Sequence, residues 1–255
     1  MDTTTLPDLT GRIIVVTGAS RGIGYFVAKE AASQGAHVLA VARTVGGLED
    51  LDDEIRAAGG HCTLVPLDVT DGPGIDRLGA AVADRWGRCD AMIANAGVLG
   101  TISPIGHVEA KTFQQVMDVN VTAVWRLART LDPLLARTDN SRALILSSGV
   151  AHSCRANWGP YAMSKAAVEA MARVWAAESA STPLKVNSVN PGATRTQMRA
   201  KAMPGEDKSA LPEPAEVARV IVSLLDPSLV QTGQIFDVRQ RKWLQYRTPT
   251  VAQPA

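Results

Sequence analysis

The sequence predicts an α/β fold: one domain on a doubly wound parallel sheet of about seven strands, with helices on both faces. Short apolar runs alternate with stretches of helical periodicity, and small or polar residues follow most of the apolar runs. Such regular alternation is typical of a parallel sheet covered by its crossover helices. Because the 255 residues contain no linker, repeat or low-complexity segment, we expect a single domain over residues 1–255.

The predicted strands are runs of branched or small apolar residues, which suit strands buried on both faces. The first run consists of Ile13, Ile14, Val15 and Val16. In chain order, the runs cover residues 13–16, 36–42, 62–67, 91–94, 143–147, 185–189 and 234–238.

The predicted helices lie between these runs, at residues 25–34, 45–58, 74–86, 108–137, 160–179 and 213–225. Gly59 and Gly60 end the second helix, since glycine favours the position after a helix C-terminus. Asparagine is a poor helix former, so we expect the stretch 108–137 to break near Asn120. Residues 194–212 and the tail 239–255 follow no clear pattern.

Charge and composition exclude several classes of protein. The 26 Lys and Arg nearly balance the 25 Asp and Glu, which argues against a nucleic-acid or anionic-membrane partner. No apolar stretch is long enough to span a bilayer, and the polar N-terminus is no signal peptide. The cysteines and histidines lack metal-ligand spacing, so we expect no metal, reduced thiols and a cytoplasmic protein.

A glycine-rich turn follows the first predicted strand, with the spacing Gly18-x-x-x-Gly22-x-Gly24. A strand, such a turn and a helix N-terminus form an anion site, because the first N–H groups of the helix point outward unpaired. The glycines let a pyrophosphate approach the backbone. We expect cofactor contacts from Gly18, Ser20, Arg21, Gly22, Ile23 and Gly24. A tight turn without a ligand is the alternative for this stretch alone.

Ligands of such sheets bind beyond the carboxyl ends of the strands, near the point where the strand order reverses. The residues that follow the other predicted strands are again small or polar: Arg43, Asp68, Val69, Asn95, Ala96, Gly97, Ser147, Ser148, Asn190, Pro191 and Gly192. We therefore expect the site at this edge.

Taken together, these positions closely resemble the short-chain dehydrogenase/reductase family, in its compact single-domain branch. The matching motifs run in order: Thr17-Gly18-x-x-x-Gly22-x-Gly24, Asp68, Asn95-Ala96-Gly97, Asn120, Ser148, Tyr161-x-x-x-Lys165 and Pro191-Gly192-x-x-x-Thr196. The resemblance implies a Rossmann-like enzyme that interconverts a carbonyl compound and an alcohol with NAD or NADP. It also implies a homo-oligomer, a dimer or tetramer, that pairs helices near 108–137 and 160–179.

The chemistry of the residues supports this reaction. Hydride transfer to a ketone leaves an alkoxide, which needs a proton and a stabilising donor. Tyr161 is the candidate acid in reduction and base in oxidation, and Lys165, one helical turn on, is expected to lower its pKa. By resemblance, Ser148 polarises the carbonyl, with Ser147 as its rival. Asn120 holds a water beside Lys165 through its side chain or its carbonyl.

The resemblance distributes the other cofactor contacts along the same edge. Tyr161 and Lys165 lie at the nicotinamide ribose, and Asp68 and Val69 contact adenine. Small residues at 95–97 let the adenosine lie against the backbone. The turn after strand six supplies Pro191, Gly192, Thr194 and Thr196, the last of which bonds the nicotinamide carboxamide.

Charge after the second strand favours NADP(H), with NAD(H) still possible. NAD sites place a carboxylate there for the ribose 2′-OH, whereas NADP sites use arginine for the 2′-phosphate. Here Ala42 stands at the acidic position, Arg43 follows it, and no carboxylate occurs before Glu49. Arg21 adds a second positive charge.

A moderately apolar substrate pocket is expected around the catalytic residues, with cations at its mouth and residues 194–212 as a lid. The apolar and polar flanking residues are Leu99, Val150, Ala151, His152, Ser153, Cys154, Trp158, Met198 and Met203, and the candidate cations are Arg195, Arg199 and Lys201. Within the tail 239–255, we expect the basic stretch 239–247 to dock on a neighbouring subunit, in preference to acting as a nucleic-acid arm.

The sequence therefore predicts an NADP(H)-dependent oxidoreductase that acts on a small carbonyl compound or secondary alcohol. A non-catalytic dinucleotide sensor on the same fold is the alternative, which the presence of both Tyr161 and Lys165 opposes. A nucleotide-sugar epimerase or dehydratase is opposed by the glycine spacing and by the lack of a large C-terminal substrate domain.

Overall fold

The computed structural model describes residues 6–246 and arranges the strands of this range in one sheet, in the order β3-β2-β1-β4-β5-β6-β7-β8. All neighbouring strands pair in parallel except β7 and β8, which are antiparallel. The strands are β1 Ile13–Thr17, β2 His37–Ala42, β3 His61–Pro66, β4 Ala91–Ala94, β5 Arg142–Leu146, β6 Lys185–Asn190, β7 Ile235–Asp237 and β8 Lys242–Leu244.

The crossovers are helical. The helices are α1 Gly22–Ser33, α2 Val45–Ala57, α3 Gly72–Trp86, α4 Ala110–Met117, α5 Ala123–Leu135, α6 Val150–Ser153, α7 Gly159–Glu178, α8 Gln197–Ala202 and α9 Pro214–Ser223. Single 3₁₀ turns occur at Ile105–His107 and Lys208–Ala210. Within residues 6–246, no helix is long and apolar enough to cross a bilayer.

The core has two layers, one on each face of the sheet. Side chains alternate across a strand, so Ile14 and Val16 of β1 pack with α1, α2 and α9, whereas Ile13 and Val15 pack with α3, α5 and α7. A continuous apolar run is therefore what a strand at the centre of this sheet requires. The predicted fold class, a Rossmann-like doubly wound parallel sheet with helices on both faces, is confirmed.

The eighth strand is the main difference from the expected number of about seven. β8 lies in the tail, pairs with β7, and packs Trp243 on Phe236 with ring centres 5.0 Å apart. As far as residue 246 the tail therefore packs on its own chain, and its docking on a neighbouring subunit stays a prediction. Residues 247–255 of the predicted tail lie outside the described residues.

The helical stretch near Asn120 changes its winding instead of ending. α4 and α5 are joined by a π-helical turn, Asp118–Thr122, in which Asn120 is buried. One extra residue in that turn interrupts the regular hydrogen-bond pattern without stopping the helix, and such turns are frequent at functional sites. In the patternless stretch 194–212, the chain forms α8 and a 3₁₀ turn.

Candidate active site

A cleft of about 1040 Å³ opens beyond the carboxyl ends of the parallel strands. It straddles the boundary between β1 and β4, where the strand order reverses, which is the ligand position that this topology favours. Most of the predicted site residues line it: Gly18, Ser20, Arg21, Gly22, Ile23, Arg43, Asp68, Val69, Asn95, Ala96, Gly97, Tyr161, Lys165, Pro191 and Thr196. Gly24, Asn120, Ser148, Gly192 and Thr194 do not belong to this lining.

The three glycines of the turn are required for different reasons. Gly18 and Gly22 have φ values of +70° and +60°, a region that side chains disfavour. A Cβ on Gly24 would collide with the carbonyl oxygen of Gly18, whereas one on Gly22 would meet only a methyl group of Thr196, at 3.6 Å. Because α1 has no side-chain cap and no acidic residue in its first turn, its N–H groups are available to an anion in the cleft.

Thr17 and Asn95 fasten the ends of β1 and β4 together. The Thr17 hydroxyl accepts hydrogen bonds from the backbone N–H groups of Asn95 and Ala96, both at 3.1 Å. In return the Asn95 amide donates to the carbonyl oxygens of Thr17 and Gly18, at 2.9 and 3.3 Å. Asn95 therefore holds the start of the glycine turn through these hydrogen bonds. Gly97, which has no side chain, leaves space next to Asn95.

The end of the cleft next to β2 and β3 carries an ion pair. Arg43 Nη1 lies 3.5 Å from Asp68 Oδ2, and both side chains are well exposed. Partial burial raises the pKa of Asp68, but hydrogen bonds from Thr70 and the charge of Arg43 outweigh this effect and leave the pKa lowered. An anionic ligand at this end would compete with Asp68 for the guanidinium group.

Three polar groups converge at the opposite end. Lys165, which is 5% exposed, donates from Nζ to the Leu146 carbonyl oxygen at 2.6 Å and lies 5.6 Å from the centre of the Tyr161 ring. Burial raises the pKa of Tyr161 to about 12, and the Ser148 hydroxyl opposes the increase. Burial likewise lowers the pKa of Lys165 to about 8.

The expected lowering of the Tyr161 pKa by Lys165 is not seen in this structure. Burial of the phenol dominates, and the ammonium group is directed to the end of β5 instead of the phenolic oxygen. At neutral pH the Tyr161 phenol is protonated, which is the state of a proton donor.

Ser147 and Ser148 face opposite ways, as successive residues after a strand do. The Ser147 hydroxyl is buried and donates to the carboxylate of Glu169, whereas the Ser148 hydroxyl faces Tyr161. Of the two rivals, only Ser148 has its hydroxyl next to the phenol.

The side chain of Asn120 is fully used within the fold. Its Oδ1 accepts from the Val98 backbone at 2.8 Å, and its Nδ2 donates to Val98 O at 2.9 Å and to Ser164 Oγ at 3.0 Å. These bonds fix the loop after β4 to the π-helical turn. A Cβ on Gly97 would lie 3.4 Å from Asn120 Oδ1 and 3.8 Å from Lys165 Nζ, so this glycine lies close to both.

The sequence model of the short chain dehydrogenase family matches residues 12–207. The chain belongs to the short chain dehydrogenase family. The predicted family resemblance is thus confirmed, and the chain is an oxidoreductase of the kind that acts on CH–OH groups with NAD or NADP.

Other short chain dehydrogenases are similar to it over nearly their whole length. Oxidoreductase YciK of Escherichia coli K12 is 38% identical over 235 residues, 91% of this chain and 93% of that protein. A solved short chain dehydrogenase of Pseudomonas syringae superposes with a TM-score of 0.90 at 37% identity, covering 93% of this chain and 99% of the other. One from Escherichia coli CFT073, complexed with NADPH, has a TM-score of 0.85 at 38% identity and coverages of 91% and 98%.

The turn after β6 of this dehydrogenase reaches the cleft at only some of its predicted residues. Gly192 has a φ of +72° and Thr194 is buried, with its hydroxyl 3.4 Å from Gly192 O, so these two shape the turn. Thr196 lines the cleft, but its hydroxyl accepts from the Arg199 backbone N–H at 3.1 Å and caps α8.

The substrate segment is only partly where it was expected. Leu99, Met198, Arg195 and Lys201 line the cleft, whereas residues 150–154, Trp158, Met203 and Arg199 do not. Arg195 pairs with Glu213, and Arg199 pairs with Glu206 through Nε at 2.6 Å. Arg195 and Arg199 are therefore each paired with a carboxylate of this chain. The third candidate cation, Lys201, lies on the cleft wall.

Sequence reasoning missed part of the cleft wall. The loop after β4 and the π-helical region contribute Val98, Gly100, Thr101, Ile102, Thr112, Gln115 and Val119, and other elements contribute Phe26, Thr44, Leu67, Gln197, Glu213 and Pro214. The position directly after a predicted strand was a usable signal for Val98 and Thr44. The residues of α4 carry no local signal, because their position depends on packing between distant elements.

Proposed function

We propose that this chain is an NADP(H)-dependent carbonyl reductase, with Tyr161 as the proton donor in reduction. The observation that carries the proposal is that Tyr161 and Lys165 line one end of a cleft, with the Ser148 hydroxyl facing Tyr161, while Arg43 and the open N-terminus of α1 lie at the other end.

The residues of the cleft fit a dinucleotide. The uncapped start of α1 and the backbone around Gly22 would hold the pyrophosphate, and Arg43 with Arg21 would hold a 2′-phosphate. Asp68 and Val69 would lie at the adenine, and Tyr161 with Lys165 at the nicotinamide ribose. The NADPH complex of the similar Escherichia coli CFT073 dehydrogenase supports NADP(H).

The chain's own residues account for the proton transfer. NADPH, when bound, supplies the hydride. Ser148 would donate a hydrogen bond to the substrate carbonyl oxygen and stabilise the developing negative charge there. Tyr161, protonated at neutral pH, would give its phenolic proton to the same oxygen. Because the amide of Asn120 is engaged, we assign the water-holding role beside Lys165 to its main-chain carbonyl.

Residues 194–212 are proposed as the substrate lid. Met198 and Lys201 face the cleft from this segment, and the Arg199–Glu206 ion pair holds it together. The apolar wall formed by Leu99, Ile102 and Met198 supports a mainly apolar substrate.

A homo-oligomer is also proposed, because large apolar side chains remain exposed on α4, α5 and α7. Phe113, Trp125, Met163 and Val174 are 38–57% exposed. Light scattering on the purified chain tests this: a monomer at micromolar concentration contradicts it.

The function is tested with a panel of ketones, NADPH and NADH. We expect turnover with NADPH that Tyr161→Phe reduces by about 10²- to 10⁴-fold while NADPH still binds. Tyr25→Phe is the matched control, since it removes a phenolic hydroxyl from outside the cleft lining. Activity that survives Tyr161→Phe would overturn the catalytic assignment, and a preference for NADH would overturn the cofactor assignment.

A further inference from the structure

A buried carboxylate lies directly behind the catalytic residues. Glu169 follows Lys165 by four residues on α7, as Lys165 follows Tyr161, so the three share one helix face. Glu169 is only 3% exposed. Glutamate is rarely buried without partners, and nothing in the proposed proton transfer yet uses it.

Two groups from other elements bind its carboxylate. Ser147, at the end of β5, donates its hydroxyl to Oε1, and His152 of α6 places Nε2 2.9 Å from Oε2. Burial raises the pKa of Glu169, and the Ser147 hydrogen bond, the charge of His152 and the charge of Lys165 act against this increase.

The C-terminal segment closes the cluster. Tyr246 follows β8, stacks on the Arg173 guanidinium group at 4.7 Å, and lies with its ring 6.0 Å from that of His152. Its hydroxyl is buried and interacts with the Ser188 hydroxyl and with the carboxylate of Glu169. The charged and titratable groups around Glu169 are therefore Lys165 and Arg173 on α7, His152 on α6 and Tyr246 after β8.

Lys165 depends on this carboxylate. Burial lowers its pKa to about 8, and Glu169 is the group that acts in the opposite direction. The same carboxylate holds Ser147, whose neighbour Ser148 faces Tyr161.

We propose that Glu169 is a positioning residue: its negative charge keeps Lys165 in the ammonium form, and its bond to Ser147 fixes the end of β5 that presents Ser148. This role rests on the proposed reductase function. Through Tyr246, the C-terminal segment shields the carboxylate from solvent.

The pH profile of kcat/KM for ketone reduction tests the role. In Glu169→Gln we expect the alkaline limb to move to lower pH by about one unit, the size of an opposite-charge effect at close range. Glu169→Asp, which keeps the charge, should restore the limb at least in part. Glu178→Gln, which alters an exposed carboxylate at the end of the same helix, should leave the profile unchanged. If Glu169→Gln lowers kcat/KM but leaves the alkaline limb at the same pH, Glu169 has only a structural role and the proposal is overturned.

A second readout needs neither turnover nor cofactor. NMR of lysine-labelled chain, with the Lys165 signal assigned by Lys165→Met, should show its titration midpoint falling in Glu169→Gln and not in Glu178→Gln. In the wild-type chain, the labelled Glu169 carboxyl, assigned by Glu169→Asp, should be ionised at pH 7. A protonated Glu169 overturns the proposal even if Glu169→Gln does not fold. An inactive wild-type chain with the expected NMR shifts would overturn the reductase function and leave the charge coupling standing.

Discussion

Arg43→Ala offers the sharpest test of cofactor choice. Among residues 6–246, the Arg43 guanidinium group pairs only with Asp68, at 3.5 Å, and the two side chains are 59% and 40% exposed. Exposed pairs of this kind contribute about 0.2–1 kcal/mol, so the free energy of unfolding should change little. A charge-assisted hydrogen bond to a phosphate contributes about 1.5–3 kcal/mol.

The difference between these two values sets the expected loss. Binding of the 2′-phosphate gives up the weak pair with Asp68, so Arg43→Ala should weaken NADPH by about 0.5–3 kcal/mol, or about 2- to 150-fold in Kd. NADH, which has no 2′-phosphate, should bind as before. Fluorescence titration with each cofactor measures both values.

Arg77→Ala is the matched control. Arg77 forms a comparable exposed pair with Asp71, at 3.3 Å, away from the cleft. It should leave both cofactor affinities unchanged. If Arg43→Ala weakens NADH as much as NADPH, or if Arg77→Ala has the same effect, the assignment of Arg43 to the 2′-phosphate is refuted.

Three further predictions concern stability. Thr17→Val leaves two backbone N–H groups without an acceptor and should lower the free energy of unfolding in urea by about 1–3 kcal/mol. Thr17→Ser keeps the hydroxyl and should be nearly as stable as the wild type; equal stability of the two variants would contradict this. Gly24→Ala places a Cβ against the backbone and should lower the free energy of unfolding by about 1–3 kcal/mol. Gly46→Ala, in open space on α2, should leave it unchanged or raise it, and similar values for the two variants would refute the steric argument. The pKa of Lys165 is about 8 in the folded chain and 10.5 in the unfolded chain. Between about pH 8 and pH 10.5 the unfolded chain therefore binds more protons, so this residue makes the free energy of unfolding rise with pH. Lys165→Met should remove that rise, and an unchanged slope would show that Lys165 is not buried in solution.

Local pattern was sufficient for most of the sheet. β4 lies at the predicted residues 91–94, because a short apolar run at the centre of a parallel sheet has no competing interpretation. α6, with four residues, has too few turns to show a period, and β8 is a short strand flanked by charge. Each packs on its neighbour in the chain, β8 on β7 and α6 on α7, and neither is long enough to show a periodic pattern of its own.

The same division applies to the site. The Tyr161–Lys165 spacing placed two side chains on one helix face before any coordinates were known. Glu169, the next residue on that face, was not predicted as a site residue, because a glutamate in a helix is usually exposed to solvent. The direction taken by the Lys165 ammonium group depends on the position of the Leu146 carbonyl oxygen in a separate strand. The rise in the Tyr161 pKa depends on how deeply the fold buries the phenol.

The π-helical turn at Asp118–Thr122 also determines which insertions and deletions this part of the chain can tolerate. Because the turn takes up its surplus residue locally, loss of one residue there would leave a regular α-helix and keep the apolar stripe of α5 on α3. Loss of Asn120 itself would, however, release the loop after β4 that its amide holds. Such a deletion would therefore spare the packing of α5 and disturb the floor of the active site.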